Sequence, residues 1–78
     1  MDTIPQLFSQ LNAALEHRLI RHWNIETLRA VSVAMVYFNE STKKAQRIKL
    51  AQHIEAKYGV TTLLMDSNSR MRIDIGLR

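Results

Sequence analysis

The apolar residues of this chain change their spacing at Gly59, and that change constrains the fold more than any other feature of the sequence. Before Gly59, apolar side chains recur every three or four residues, which is typical of amphipathic helices. After it, Met71, Ile73 and Ile75 alternate with more polar residues, which is typical of a half-buried strand. The sequence therefore predicts the α+β class, with helices followed by a two-stranded antiparallel hairpin.

Three helices are predicted, over residues 3–22, 25–38 and 43–58, and the hairpin is predicted over about 60–77. Gly59 ends the third helix because glycine readily adopts the left-handed conformation that follows many helices. The order α-α-α-β-β resembles that of winged-helix proteins, a variant of the helix-turn-helix. This is a resemblance of topology only, since the chain has no residue motif specific to that class.

The segment 31–38 is compatible with two structures. Its apolar residues spread around most of a helix, which predicts a central helix or one that buries a second face in an oligomer. Its β-branched residues, which include Val31, Val33 and Val36, also permit a strand. We adopt the helix as the sequence-based interpretation and keep the strand as the alternative.

The chain has 78 residues and no cysteine, so it is expected to form one small domain without disulfides. Hydrophobic residues make up 46% of it, which is enough for a packed core. The longest nearly apolar stretch, 31–38, is far shorter than the roughly 20 residues that cross a bilayer. Its first residues lack the pattern of a signal peptide, so we expect no membrane partner and a cytoplasmic location.

The net charge of +4 is unevenly distributed. The first 40 residues contain three Lys and Arg against four Asp and Glu, whereas the last 38 contain eight against three. Such an asymmetry favours a polyanionic partner, although a basic, solubilising surface would have the same composition.

The sequence offers little for catalysis or metal binding. His17, His22 and His53 do not stand at the spacing that places two imidazoles on one helical face. Gly59 and Gly76 are the only glycines, so a glycine-rich phosphate loop is excluded. We therefore expect a protein that is not an enzyme and that has no cofactor and no metal site.

The third predicted helix carries several cations opposite its apolar stripe, and the predicted hairpin adds two arginines. Lysine and arginine can neutralise phosphates, and glutamine can pair with adenine in the major groove. An ordinary solvated helix face would have a similar composition. The predicted nucleic-acid-binding residues are Lys43, Lys44, Gln46, Arg47, Lys49, His53, Arg70 and Arg72.

The leading hypothesis is a small regulatory protein, a homodimer, that binds double-stranded DNA. The third helix would contact the major groove and the hairpin arginines the backbone. The alternative is a small inhibitor or adaptor that binds another protein through its basic surface or its second helix. In either case, dimerisation is expected through helix packing or through pairing of an edge strand.

Overall fold

The computed structural model of the chain describes residues 4–76, apart from the side chain of Leu28. It contains two helices and a four-stranded antiparallel sheet. The first half of the chain forms α1 (Ile4–Glu16), β1 (Ile20–Leu28) and β2 (Val31–Phe38). The second half forms α2 (Lys44–Tyr58), β3 (Thr61–Met65) and β4 (Arg70–Gly76).

The strands lie in the order β1-β2-β4-β3, so that β2 and β4 form the centre of the sheet. Every neighbouring pair is antiparallel. The order helix–strand–strand occurs twice along the chain, although no internal repeat is visible in the sequence. Each half therefore contributes one helix, one edge strand and one central strand.

Both helices pack on the same face of the sheet. Side chains alternate between the two faces of a strand, so every second residue of β2 and β4 points toward the helices. These residues form one core with the buried side of each helix, and the helices cover it from outside. The core is built from Leu7, Leu11, Ala14, Ile20, Ala34, Val36, Phe38, Ala51, Ile54, Met71, Ile73 and Ile75.

The predicted order of three helices and a hairpin is wrong, and with it the winged-helix arrangement. Residues 25–38, predicted as the second helix, lie in the antiparallel hairpin of β1 and β2. The predicted helix 3–22 ends at Glu16, and the chain enters β1 at Ile20. Positions 3 and 77, at the ends of predicted elements, lie outside the described residues.

The helical spacing in 25–38 was misleading because β2 is apolar on both faces. Ala34 and Val36 are buried against the helices, whereas Val33 and Met35 are buried on the other side of the sheet. A strand with two apolar faces has no alternation of polar and apolar residues. Its sequence pattern is therefore equally compatible with a buried helix. The strand alternative for 31–38 is the one the structure confirms.

The turn between β1 and β2 carries none of the usual signals of a hairpin. Its two residues, Arg29 and Ala30, have φ angles of 52° and 67°. Two-residue hairpin turns need positive φ at both positions, which is why Asn-Gly and Asp-Gly are favoured there. Because arginine and alanine adopt this conformation reluctantly, the turn could not be recognised from its residue types.

The later elements agree more closely with the sequence-based prediction. α2 ends at Gly59, whose φ of 65° is left-handed and whose N–H donates to the carbonyl of Glu55 at 3.0 Å. The loop between β3 and β4 contains Asp66, Ser67 and Asn68, all with positive φ. Asp and Asn tolerate this conformation better than most residues. Neither described helix is long and apolar enough to cross a membrane.

Replacement of Ala30 by glycine tests the corrected fold. Ala30→Gly relieves a left-handed alanine in the turn, and we expect it to stabilise the protein by about 0.5–1 kcal/mol despite the added freedom of the unfolded chain. The melting temperature should rise by a few degrees. The control is Ala56→Gly, at an exposed position inside α2, which should cost about 1 kcal/mol. If residues 25–38 were a helix, both variants would melt earlier than the wild type.

Candidate nucleic-acid interface

The exposed side of α2 carries most of the cations that the sequence analysis singled out. Ala51 and Ile54 anchor the helix to the core, so the residues on its other side face outward. The Lys43 residue precedes the helix as its N-cap. The exposed basic residues, which we call the α2 basic surface, are Lys43, Lys44, Lys49, His53 and Lys57.

The one acidic residue of α2 does not offset this charge on the outer side. The Glu55 carboxylate accepts hydrogen bonds from the backbone N–H of Thr62 at 2.9 Å and from the Thr62 hydroxyl at 3.0 Å. These two bonds, the backbone one first, lower the pKa of Glu55 below its ordinary value of 4.5. The carboxylate is thus turned toward β3, and the outer side of α2 is left with cations.

A groove runs between α2 and α1 beside these cations. It consists of two adjoining cavities of about 350 and 520 Å³, and His53 lines both of them. The α1 side supplies amide and hydroxyl groups from Gln6, Ser9 and Gln10. The Tyr58 hydroxyl closes the inner wall by donating to Oε1 of Gln10 at 2.6 Å. Leu19 and Leu50 make the first cavity mainly apolar, so Lys49 and Lys57 at the edges of the groove are the groups that suit phosphate oxygens.

Two of the predicted site residues on α2, Gln46 and Arg47, form hydrogen bonds within the protein. The Oε1 atom of Gln46 accepts the backbone N–H of Lys43 at 2.9 Å, which satisfies a free donor at the start of the helix. The amide of Gln46 is therefore engaged at the helix terminus. Its ability to read a base edge is reduced accordingly.

Arg47 joins three separate parts of the backbone. Its Nε donates to the carbonyl of Thr42 at 2.9 Å, its Nη1 to that of Asn68 at 2.7 Å, and its Nη2 to that of Asn39 at 3.1 Å. The guanidinium also lies 5.3 Å from the centre of the Phe38 ring, a cation–π distance. All three described bonds go to the protein's own backbone, so Arg47 acts as a structural residue.

The two hairpin arginines lie on the other side of the sheet. Arg70 and Arg72 alternate along β4 with the buried Met71 and Ile73, so their side chains point away from both helices. Arg70 pairs with Asp66 at 2.6 Å, and Arg72 pairs with Asp74 at 2.7 Å. The Asp66 carboxylate and, after it, the Tyr37 hydroxyl raise the pKa of Arg70. The structure thus divides the predicted site residues between two opposite surfaces.

A cluster around Tyr37 was missed by the sequence analysis. The His22 ring centre lies 5.5 Å from that of Tyr37, and the Arg21 guanidinium lies 5.4 Å from the Tyr37 ring. Arg70 is the neighbour of Tyr37 in register on β4. The cluster becomes visible only when residues 20–38 are folded as a hairpin.

Within residues 4–76, no group of three or more His, Cys, Asp or Glu residues is placed to hold a metal ion. His17 lies in the turn after α1, His22 on β1 and His53 on α2. No family model, no curated protein and no solved structure matches this chain.

Replacement of Arg47 tests its structural role. Arg47→Met keeps the long side chain but leaves three carbonyls without their charged donor, and we expect a loss of about 2–3 kcal/mol in the free energy of unfolding. Lys49→Met, two residues further along α2 at an exposed position, should change it by less than about 0.5 kcal/mol. Urea unfolding followed by circular dichroism measures both. Equal stability of the two variants would contradict the assignment of Arg47 to the fold.

The hydrogen bonds of Glu55 give the protein a specific sensitivity to acid. Because its pKa is lower in the folded state, the carboxylate stabilises the fold fully above its unfolded pKa of 4.5. This contribution disappears as the pH falls through the lower, folded value. We expect Glu55→Gln to be less stable than the wild type at pH 7 and to lose less stability on acidification.

The control is Glu40→Gln, at an exposed position in the turn after β2. This variant should keep the acid dependence of the wild type. Urea unfolding at pH 7 and pH 3 provides the comparison. A pH dependence in Glu55→Gln that matches the wild type would show that the Thr62 contacts are not maintained in solution.

Proposed function

We propose that this chain is a small, non-catalytic protein of the cytoplasm that binds double-stranded DNA through the α2 basic surface, in a regulatory role. The observation that carries the proposal is the one-sided charge of α2. The ionisable residues on its exposed side are all basic, and its single carboxylate is hydrogen-bonded to Thr62. A concentration of basic residues without neighbouring free carboxylates attracts a phosphate backbone.

The mode of binding that these residues favour is contact with phosphates. Lysine is a mobile point charge, well suited to phosphates and poorly suited to bidentate recognition of a base. Gln46 and Arg47, the residues best suited to base edges, are engaged in the helix cap and in the backbone junction. We therefore propose binding with little sequence preference, in which Arg70 and Arg72 do not take part.

The salt dependence of duplex binding tests this proposal. If the α2 basic surface neutralises three to four phosphates, the plot of log K against log salt should have a slope of about −2.7 to −3.6. Between 50 and 200 mM salt, the affinity should then fall roughly 40- to 150-fold. Fluorescence anisotropy with a labelled duplex measures this slope. A protein that does not bind duplex DNA at low salt, or binds it independently of salt, would refute the proposal.

Two double variants test whether DNA binds at the α2 basic surface. Lys49→Ala with Lys57→Ala should weaken binding and make the slope less steep by about 1.8. Arg21→Ala with Arg29→Ala removes the same charge from β1 and the turn after it, and it should leave the slope unchanged. If both double variants lose the same affinity, the binding reflects net charge and the assignment to α2 is wrong.

The same experiment separates the second candidate, an inhibitor or adaptor protein. An acidic protein surface would also be attracted by the α2 basic surface, since charge complementarity does not depend on the chemistry of the anion. Such a protein would not show the steep slope that counterion release from a duplex produces. If the affinity for duplex DNA does not change with salt, and the chain binds an acidic protein, the adaptor function is therefore favoured.

A further inference from the structure

The two edge strands of the sheet differ in how well they are protected against pairing with another chain. β3, at one edge, has five residues, and the backbone N–H of Thr62 in it already donates to the Glu55 carboxylate. β1, at the other edge, has nine residues and contains neither lysine nor proline, which proteins often place on edge strands to prevent pairing. Within residues 4–76, β2 is the only strand that pairs with β1. The outer side of β1 is therefore the less protected edge.

Every second residue of β1 directs its backbone groups to that outer side. The turn after β1 has two residues with positive φ, so the flanking Leu28 and Val31 form a hydrogen-bonded pair. Hydrogen-bonded and non-hydrogen-bonded pairs alternate along an antiparallel ladder. Counting back from Leu28, the residues whose N–H and C=O groups point away from β2 are Thr27, Ile25 and Trp23.

The middle of this edge is apolar on the helix side of the sheet. Trp23 packs against the core, and Ile25, two residues further on the same face, is 43% exposed. The indole of Trp23 is held in place, since its ring centre lies 5.2 Å from that of Phe8 and its Nε1 donates to Oδ1 of Asn12 at 3.0 Å. An ordered tryptophan beside an exposed aliphatic residue is typical of the centre of a protein–protein contact.

We propose that β1 of a second copy of this chain pairs antiparallel with β1, which joins the two sheets into one sheet of eight strands. The two-fold axis is perpendicular to the sheet and passes between Asn24 and its counterpart. Trp23 of each copy then forms a hydrogen-bonded pair with Ile25 of the other, which gives four backbone hydrogen bonds. The same pairing covers the exposed Ile25 side chain with the indole of the second copy.

The register of this pairing is selected by charge. Because only every second residue of β1 points its backbone groups outward, the strands can shift only in steps that keep such residues opposite each other. With Asn24 on the axis, Glu26 of each copy faces His22 of the other. The next register in either direction places Glu26 opposite Ile20 or Asn24. Opposite charges directly across a strand pair are favourable, so the axis at Asn24 is preferred.

The groups that meet in this register are compatible with each other. The Glu26 carboxylate holds the Asn24 amide through Oε2 only, at a long distance of 3.4 Å, so Oε1 can accept an imidazole N–H. His22 and Arg21 both lie against the Tyr37 ring, which makes this end of β1 basic. Asn24 itself is neutral, so the axis does not bring two like charges together.

The dimer does not depend on the proposed DNA binding. The α2 helix packs against β3, at the edge of the sheet opposite to β1, so the α2 basic surface stays outside the contact. The mass of the protein without DNA reports on the dimer, and the salt dependence of duplex binding reports on the other proposal. Failure of one proposal is therefore distinguishable from failure of the other.

Sedimentation equilibrium of the full chain tests the contact. The wild type should have a mass twice that of the 9.1 kDa chain at high concentration. Ile25→Lys removes apolar contact from both halves of the dimer and places a charge at the edge, so it should raise the dissociation constant at least about 100-fold. The matched control is Leu63→Lys, at the 55% exposed apolar position of the other edge strand, which should leave the dimer intact.

Ile25 and Leu63 are both exposed, so both variants should keep the far-ultraviolet circular dichroism of the wild type. A wild type that stays monomeric would overturn the proposal. So would a folded Ile25→Lys variant that dimerises as tightly as the wild type.

Disulfide cross-linking tests the register, since the chain has no cysteine of its own. Asn24→Cys places two thiols opposite each other in a non-hydrogen-bonded pair, where the Cα atoms are about 4.5 Å apart and a disulfide can form. In Thr27→Cys the two thiols lie six residues apart along the pair, about 20 Å. Mild oxidation followed by non-reducing electrophoresis should give a covalent dimer only for Asn24→Cys. Absence of that dimer, or equal cross-linking of both variants, would overturn the proposed register.

Discussion

The guanidinium of Arg47 is the interaction on which the arrangement of the two halves of the fold depends. It starts on α2 and donates to carbonyls in the turn after β2, at Asn39 and Thr42, and in the loop after β3, at Asn68. The side chain lies over the Phe38 ring, at the end of β2. One half-buried charge thus connects both helix–strand–strand units, and its loss would leave several carbonyls without a donor.

The same junction is reinforced by bonds that do not involve Arg47. The buried Thr42 hydroxyl donates to the carbonyl of Leu19 at 2.6 Å, and the N–H of Phe38 donates to the carbonyl of Ser69 at 3.0 Å. These bonds hold the beginning of β1 and the loop before β4 against the turn that separates the halves. A domain of this size is only marginally stable, so such connections supply a large share of its free energy of unfolding.

The sheet divides the basic residues into two groups with different surroundings. On the helix side, the lysines of α2 are exposed and Glu55 is turned inward, which gives a surface of one sign. On the opposite side of the sheet, Arg70 and Arg72 are each paired with an aspartate. A surface of one sign suits a polyanion, whereas arginines that are already paired with aspartates contribute little net charge to such a contact.

The sequence by itself determined the elements whose signals are local. α2, its end at Gly59 and the β3–β4 hairpin follow from periodicity and turn residues, and the cations of α2 were recognised as exposed from the same periodicity. Tertiary structure alone decided the β1–β2 hairpin, because β2 is buried on both faces and the Arg29–Ala30 turn has no turn-forming residue type. It also decided the roles of the basic residues. Side-chain type gives no indication of whether an arginine meets a carbonyl, an aspartate or solvent, since those partners come from distant parts of the chain.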